Sequence, residues 1–253
     1  MAEMKQYLVS VIMPTYNCGR YIREAVESVK HQQVEWELII IDDASTDDTE
    51  KRIEAYQKDE RIHYIRNSKN EGVAKSRNQG CRYAKGEYIA FLDADDWWRI
   101  GKLKKQIEKM KKTNAVLCYT GRELFDERGK SKGKIIRVKE RLHYSDLLKT
   151  NSIACSSVVV KREAILEFPM EHDELHEDYL TWLRVLEKYD MACGINEPLL
   201  CTRLTKDGKS RKKWKTVWMT YGVYRQMRIG KIKAFWYVGR HIIRSGLKYL
   251  KGS

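Results

Sequence analysis

Apolar positions in the first hundred residues fall into short continuous runs separated by stretches of helical period, and each run stops at proline or at acid. Residues 8–13 (Leu-Val-Ser-Val-Ile-Met) are a β-favouring run halted by Pro14, after which residues 19–30 carry Ile22, Ala25, Val26 and Val29 at the spacing of one helix face. Residues 36–41 predict a second strand that ends in Asp42-Asp43. A polar loop then leads into a helix over about 47–58, with Thr46 or Asp47 placed to cap it. A third strand over 62–65 and a third helix over 73–84, behind the turn Asn70-Glu71-Gly72, precede a fourth apolar run at 88–92. That run ends in three carboxylates, Asp93, Asp95 and Asp96. Nearly all-apolar strands alternating with helices predict an α/β fold, a doubly wound and mainly parallel sheet with helices on both faces.

The second half reads more coarsely. A lysine-rich helix is expected over 101–112, strands over 115–119, 156–160 and 191–201, and a polar hairpin turn over 126–134. The acidic stretch 172–178 precedes an amphipathic helix with Leu180, Leu183, Val185 and Leu186. Two further helices, 213–228 and 231–250, meet at Gly230. On the second, Lys233, Arg240, Arg244, Lys248 and Lys251 share one face, and Ile232, Phe235, Trp236, Ile242, Ile243, Leu247 and Leu250 the other. The expected division is a domain over 1–205, with halves 1–98 and 99–205, and a helical extension over 206–253.

Charge sharpens that division. The 253 residues carry a net charge of +14, yet residues 203–253 hold 15 Lys/Arg and the single acid Asp207, which leaves 34 of each sign in residues 1–202. A neutral body with a basic tail points to an anionic partner: a membrane surface or a nucleic acid. The other reading is that the apolar stripe of the last helix packs on the body. Six cysteines without a Cys-x-x-Cys pair predict free thiols, mostly core fillers, in a reducing compartment. Residues 1–7 are polar and no apolar stretch reaches a membrane-spanning length, so the expected location is cytoplasmic, peripheral on the inner face of the membrane.

Carboxylates as crowded as Asp93, Asp95 and Asp96 repel one another unless a cation or a donor network holds them. Two readings stand: a magnesium or manganese ion bound by one or two of them and completed by substrate phosphates, or Asp95 or Asp96 as N-cap of a segment starting near Trp97. In a parallel sheet ligands bind beyond the carboxyl ends of the strands. There the chain places Pro14-Thr15-Tyr16-Asn17, Asp42-Asp43 and Asp93-Ala94-Asp95, with neither a Gly-x-Gly-x-x-Gly loop nor a P-loop. A nucleotide on this edge is therefore held through carboxylates and a metal. Tyr16 has the alternative of packing at its strand end, and Lys75 and Arg77 that of a solvated helix face.

The segments 9–17, 41–47, 72–78 and 91–96 resemble the successive motifs of family 2 glycosyltransferases with the GT-A fold, and the likeness extends over about residues 8–205. It is nearest to bacterial enzymes that build capsule, exopolysaccharide, lipopolysaccharide or teichuronic-type polymers. The resemblance implies an inverting transferase with a nucleotide-diphosphate sugar donor, UDP by family habit, a Mn2+ or Mg2+ cofactor, and a saccharide acceptor. Pro14, Thr15 and Tyr16 would line the nucleoside pocket, and Asp43 would accept a hydrogen bond from the base. Asp93, Ala94 and Asp95 would form the Asp-x-Asp motif, Asp95 as main metal ligand and Asp93 also near the ribose. Lys75 and Arg77 are assigned to the phosphates, and Arg203, with Ser210, to a segment closing over the diphosphate, although residues 204–209 depart from the family pattern. Glu177-Asp178 matches the family's Glu-Asp pair, so Asp178 is the expected general base. His172 and His176 are four apart, a spacing open to a metal pair, but no His-Glu-x-x-His is present and ordinary surface histidines are the expectation. A basic last helix edged with tryptophan suits an anionic membrane and a lipid-linked acceptor. No nucleic-acid module accompanies it, so no nucleic-acid partner is expected. A nucleotidyltransferase shares the sheet and metal but wants a glycine-rich loop after the first strand.

Overall fold

Every residue of β1 (Val9–Thr15) and β2 (Trp36–Asp42) is buried in the computed structural model, which describes residues 7–205 and 213–250. Strands buried on both faces need two covering layers, and the alternation of the chain supplies them. On one face Val9, Val11, Met13, Leu38 and Ile40 pack with Ile22, Ala25, Val26 and Val29 of α1 (Ile22–Lys30). On the other, Ile12, Ile39 and Ile41 join Ala74 and Cys81 of α3 (Val73–Tyr83). Between these lie α2 (Thr49–Glu54) and β3 (Ile62–Arg66), and β4 (Tyr88–Phe91) follows α3. The first half is the predicted parallel sheet, in the spatial order β3-β2-β1-β4.

The second half departs from strict alternation. Trp97–Trp98 is a two-residue strand, β5, and α4 (Lys102–Thr113) begins beyond it, so Asp95 and Asp96 cap no helix. The segment expected as one strand over 156–160 is a single tight turn, Cys155–Ser157, followed by β9 (Val159–Lys161), which runs antiparallel between β4 and β6 (Leu117–Phe125). The long β10 (Met191–Arg203) lies parallel to β6 and antiparallel to β5. β7 (Ser131–Ile136) returns from the predicted polar turn onto β6, and β8 (Arg141–His143) pairs with β10. The helices α5 (Tyr144–Leu147), α6 (Arg162–Glu167) and α7 (Glu177–Tyr189) complete the body.

The two basic helices, α8 (Lys213–Gln226) and α9 (Lys231–Leu250), pack on that body. Val223, Tyr224, Met227, Ala234 and Val238 belong to the cluster that holds Tyr179, Leu180 and Trp182 of α7. Tyr224 donates its hydroxyl to the Leu148 carbonyl at 2.7 Å and lies 3.2 Å from the Tyr179 hydroxyl. The stripe of α9 that packs is not the expected one: Ala234 and Val238 are buried, whereas Ile232, Phe235 and Trp236 are exposed. Ser210, Lys251 and the α9 side chains assigned beyond His241 lie outside the described residues.

One close approach fixes the position of α3 against the sheet. A Cβ built on Gly80 would stand 2.5 Å from the Ile12 Cγ2. Gly80→Ala is expected to lower the unfolding free energy by about 1–3 kcal/mol, although helix propensity alone favours alanine by about 1 kcal/mol. Urea unfolding checks it, and a stabilised variant would mean that α3 has room to shift.

Candidate active site

The parallel register brings the carboxyl ends of β1, β2 and β4 side by side: Thr15 stands opposite Asp42, and Ile12 opposite Phe91. Asn17, held at a positive φ of 53°, donates its N–H to the Ser45 Oγ at 2.9 Å and accepts from the Thr46 N–H at 2.8 Å. The loops after β1 and β2 are thus locked together before any ligand arrives. Pro14, Thr15 and Ala94 are buried, whereas Tyr16, 48% exposed, and Asn17 stand open at the end of the first motif. Asp43 is committed to the turn that follows β3. Its carboxylate accepts from the Asn67 side chain at 2.8 Å and from the backbone N–H groups of Glu71 and Gly72 at 2.9 and 2.8 Å. That turn delivers α3 to the site.

Arg77 of α3 is where the two halves meet. Its guanidinium is buried, one nitrogen 2.7 Å from Asp93 Oδ1 and the other 2.9 Å from Glu177 Oε1. The expectation that it lies open to phosphates does not hold in this geometry: the fork is spent on two carboxylates, one from each half. Lys75 is exposed elsewhere on the helix, over a separate hollow of about 510 Å³ with Asn67 and Glu71. α3 is also fastened to the loop that carries the acidic patch. Asp173 accepts the Ala74 N–H at 2.8 Å, and Asn78 exchanges two hydrogen bonds with the Met170 backbone at 2.6 and 2.9 Å. Gly72, at φ +95°, makes room for Asp173, which a Cβ there would strike.

One cavity of about 480 Å³ joins these groups. Arg77, Asp93 and Asp96 line it from the first half, Glu177 and Asp178 from α7, and Arg122, Thr202 and the 151–156 loop from the other walls. Asp178 is half-buried and accepts the Tyr179 N–H at 2.7 Å. Burial first, and the charge of Glu177 second, push its carboxyl up to about 7, with Arg77 pulling the other way. Such a group exchanges a proton near neutrality, as a general base requires. On the other side, burial and the charge of Asp93 push Asp95 up to about 6. Asp96, buried at the cavity wall, is driven well above the carboxylate range by burial and then by Asp95, and it accepts the Arg203 N–H at 3.0 Å. It ties the segment after β4 to β10.

Arg203, expected in a segment closing over the diphosphate, has its guanidinium engaged by protein groups. Its guanidinium lies 4.7 Å from the ring centres of both Tyr21 and Trp97, donates to the Asp95 and Glu127 carbonyls at 3.1 and 3.2 Å, and pairs with Glu24. It braces the backbone of the Asp-x-Asp segment. His172 pairs with Glu174 at 2.9 Å, ahead of α7 and not on a helix face with His176. Sequence reasoning missed Ser156, whose Oγ accepts the Asp93 N–H at 3.1 Å, together with Arg122 and Met219. The run Asn151-Ser152-Ile153-Ala154-Cys155-Ser156, polar and small ahead of a strand, was the only signal for that wall.

Hard oxygen donors on Asp93 and Asp95 fit a divalent cation, because a positive ion favours the charged carboxylate that burial and then Asp93 disfavour at Asp95. No cluster of three or more metal-ligating side chains occurs among the described residues. Two carboxylates leave the remaining positions of such an ion to water and phosphate oxygens.

A model of the family described as "Glycosyl transferase family 2" matches residues 10–167. Among proteins of similar sequence is one that bears the provisional name teichuronic acid biosynthesis glycosyltransferase TuaG, of Bacillus subtilis (strain 168). It is 41% identical over 232 residues, 90% of this chain and 92% of that protein. Another is the Escherichia coli UDP-Glc:alpha-D-GlcNAc-diphosphoundecaprenol beta-1,3-glucosyltransferase WfgD, 33% identical over 245 residues, 95% of this chain and 94% of that one. Among solved structures, the S. aureus TarS 1-349 fragment in complex with UDP-GlcNAc superimposes with a TM-score of 0.73 at 17% identity, over 91% of this chain and 70% of that one. The mannosyltransferase PcManGT from Pyrobaculum calidifontis, in complex with GDP-Man and Mn2+, gives 0.69 at 17% identity, over 98% and 76%. At these identities the structural likeness is one of fold.

Proposed function

The chain belongs to glycosyl transferase family 2, and from that premise we propose that it transfers a sugar, with inversion, from a UDP-sugar to a hydroxyl of a lipid-linked saccharide. It is a GT-A glycosyltransferase of cell-surface polysaccharide synthesis. The observation that carries this reading is the cavity that Asp93, assigned to the donor side, and Asp178, assigned to the acceptor side, line together, with Arg77 bridging Asp93 to Glu177. Relatives support the substrates: WfgD is named for a UDP-glucose donor and a diphosphoundecaprenol-linked acceptor.

In this reading Tyr16 and the locked loops after β1 and β2 receive the nucleoside, and Asp93 and Asp95 hold a Mn2+ or Mg2+ ion. The bound ion supplies neutralising charge to the departing diphosphate. Asp178 takes the proton of the acceptor hydroxyl as its oxygen attacks the anomeric carbon from the face opposite the leaving group. One displacement inverts the configuration. Glu177, fixed by Arg77, holds the start of α7 and so the aim of Asp178.

Thermal unfolding against a panel of nucleoside diphosphates and their sugars, each with and without Mn2+, tests the donor side. One nucleotide at about a hundredfold excess over its dissociation constant is expected to raise the midpoint by about 5–10 °C only when the metal is present. Asp95→Ala is expected to abolish the metal dependence. A panel without any metal-dependent shift would overturn the donor assignment.

A further inference from the structure

The structure exposes an aromatic ridge that the packing of α8 and α9 leaves on the surface. Trp218 is 60% exposed, Phe235 56%, Trp236 53% and Ile232 88%. The rings run across both helices: Trp218 meets Tyr221 edge-on at 6.0 Å, and Tyr221 lies 4.6 Å from Phe235. Arg240 sits 4.6 Å over the Trp236 ring. Around the ridge Arg225, Arg228, Lys231 and Lys233 are exposed, and residues 208–253 contain neither aspartate nor glutamate. Large apolar groups in water are unfavourable unless something covers them, and the charges that these two helices place beside the rings, all positive, say what covers them.

We propose that this ridge is the surface by which the enzyme lies on an anionic bilayer, and that it delivers the catalytic cavity to the membrane plane. Tryptophan and phenylalanine at the headgroup level, with lysine and arginine beside them, are the chemistry that an interfacial site presents. Among the described residues no helix is long and apolar enough to cross a membrane, so the contact is lateral. The ridge adjoins the cavity through α8 itself. Met219, next to Trp218, lines the cavity, and so does Leu175, which packs where a Cβ on Gly222 would stand 2.5 Å from it. A lipid-linked acceptor in the leaflet therefore has a short path to Asp178. This use of the ridge rests on the acceptor reading above; the binding itself does not.

Sedimentation with phosphatidylcholine vesicles, with and without phosphatidylglycerol, tests the binding in the absence of donor and acceptor. The full chain is expected to pellet with the anionic vesicles and stay in solution with the neutral ones. Trp218→Ser, Phe235→Ser and Trp236→Ser together, and separately Lys231→Glu with Lys233→Glu, are each expected to weaken partition at least about tenfold with the thermal midpoint unchanged. Equal pelleting of wild type and both variants overturns the proposal. So does failure of the wild type to bind anionic vesicles, whether or not it captures duplex nucleic acid. Anionic binding without transfer to any lipid-linked saccharide would leave the ridge standing and remove the acceptor reading.

Discussion

Asp178→Asn is expected to cut transfer by about 10²–10⁴-fold while leaving the metal-dependent nucleotide shift intact. The amide keeps the shape of the carboxyl and an oxygen to accept the Tyr179 N–H, so α7 and the cavity wall are preserved; what is lost is the capacity to take a proton. A base acts only when ionised. With the carboxyl lifted to about 7 by burial and by Glu177, kcat/KM of the wild type is expected to fall about tenfold per pH unit below neutrality and to level off above it. A variant within tenfold of wild type, or a profile flat from pH 5 to 8, would take Asp178 out of the role.

The largest expected loss of stability comes from Arg77→Leu, at about 3–5 kcal/mol, because the variant leaves buried carboxylates without their cation. Most of that cost falls on Glu177. Its side chain is 10% exposed, against 37% for Asp93, so solvent screens the second partner and not the first. Adding Glu177→Gln to Arg77→Leu is therefore expected to recover part of the loss, and urea unfolding of the two variants measures how much. A single variant within about 1 kcal/mol of wild type would mean that the fork contributes little net energy. The position of α3, and with it the junction of the halves, would then rest on Gly80, Asn78 and Asp173.

The C-terminal half shows where local pattern stops being informative. Lys102 belongs to the lysine-rich helix expected from the sequence, yet it is fully buried, its ammonium 3.9 Å from the Trp98 ring centre and depressed to about 7 by burial. Nothing in the spacing of a lysine-rich helix says which lysine the sheet will cover. Similarly, the wheel of α9 places Ile232, Phe235 and Trp236 on one apolar face and leaves open whether that face meets a membrane or the body. The helix instead packs through Ala234 and Val238, small enough to let it approach α8.

The sequence by itself determined the layered α/β order and the edge on which the acids collect. Strand burial has a period that composition must obey, and a carboxylate following an apolar strand has nowhere to go but that strand's end. It also determined the family, through four motifs in order, and the candidate base. Only the tertiary structure decided what each charge is for. Arg77 and Arg203 were both assigned to phosphate because an arginine in a ligand-rich segment carries no mark of its partner. Tertiary packing, across separations of 16 to 108 residues in the hydrogen bonds alone, gave one to Asp93 and Glu177 and the other to Tyr21, Trp97 and the backbone of Asp95. The same packing made an antiparallel strand of residues 159–161 and left an aromatic ridge in water. Side-chain chemistry is local, but the cost of burying a charge or exposing a ring is settled by whatever the rest of the chain places beside it.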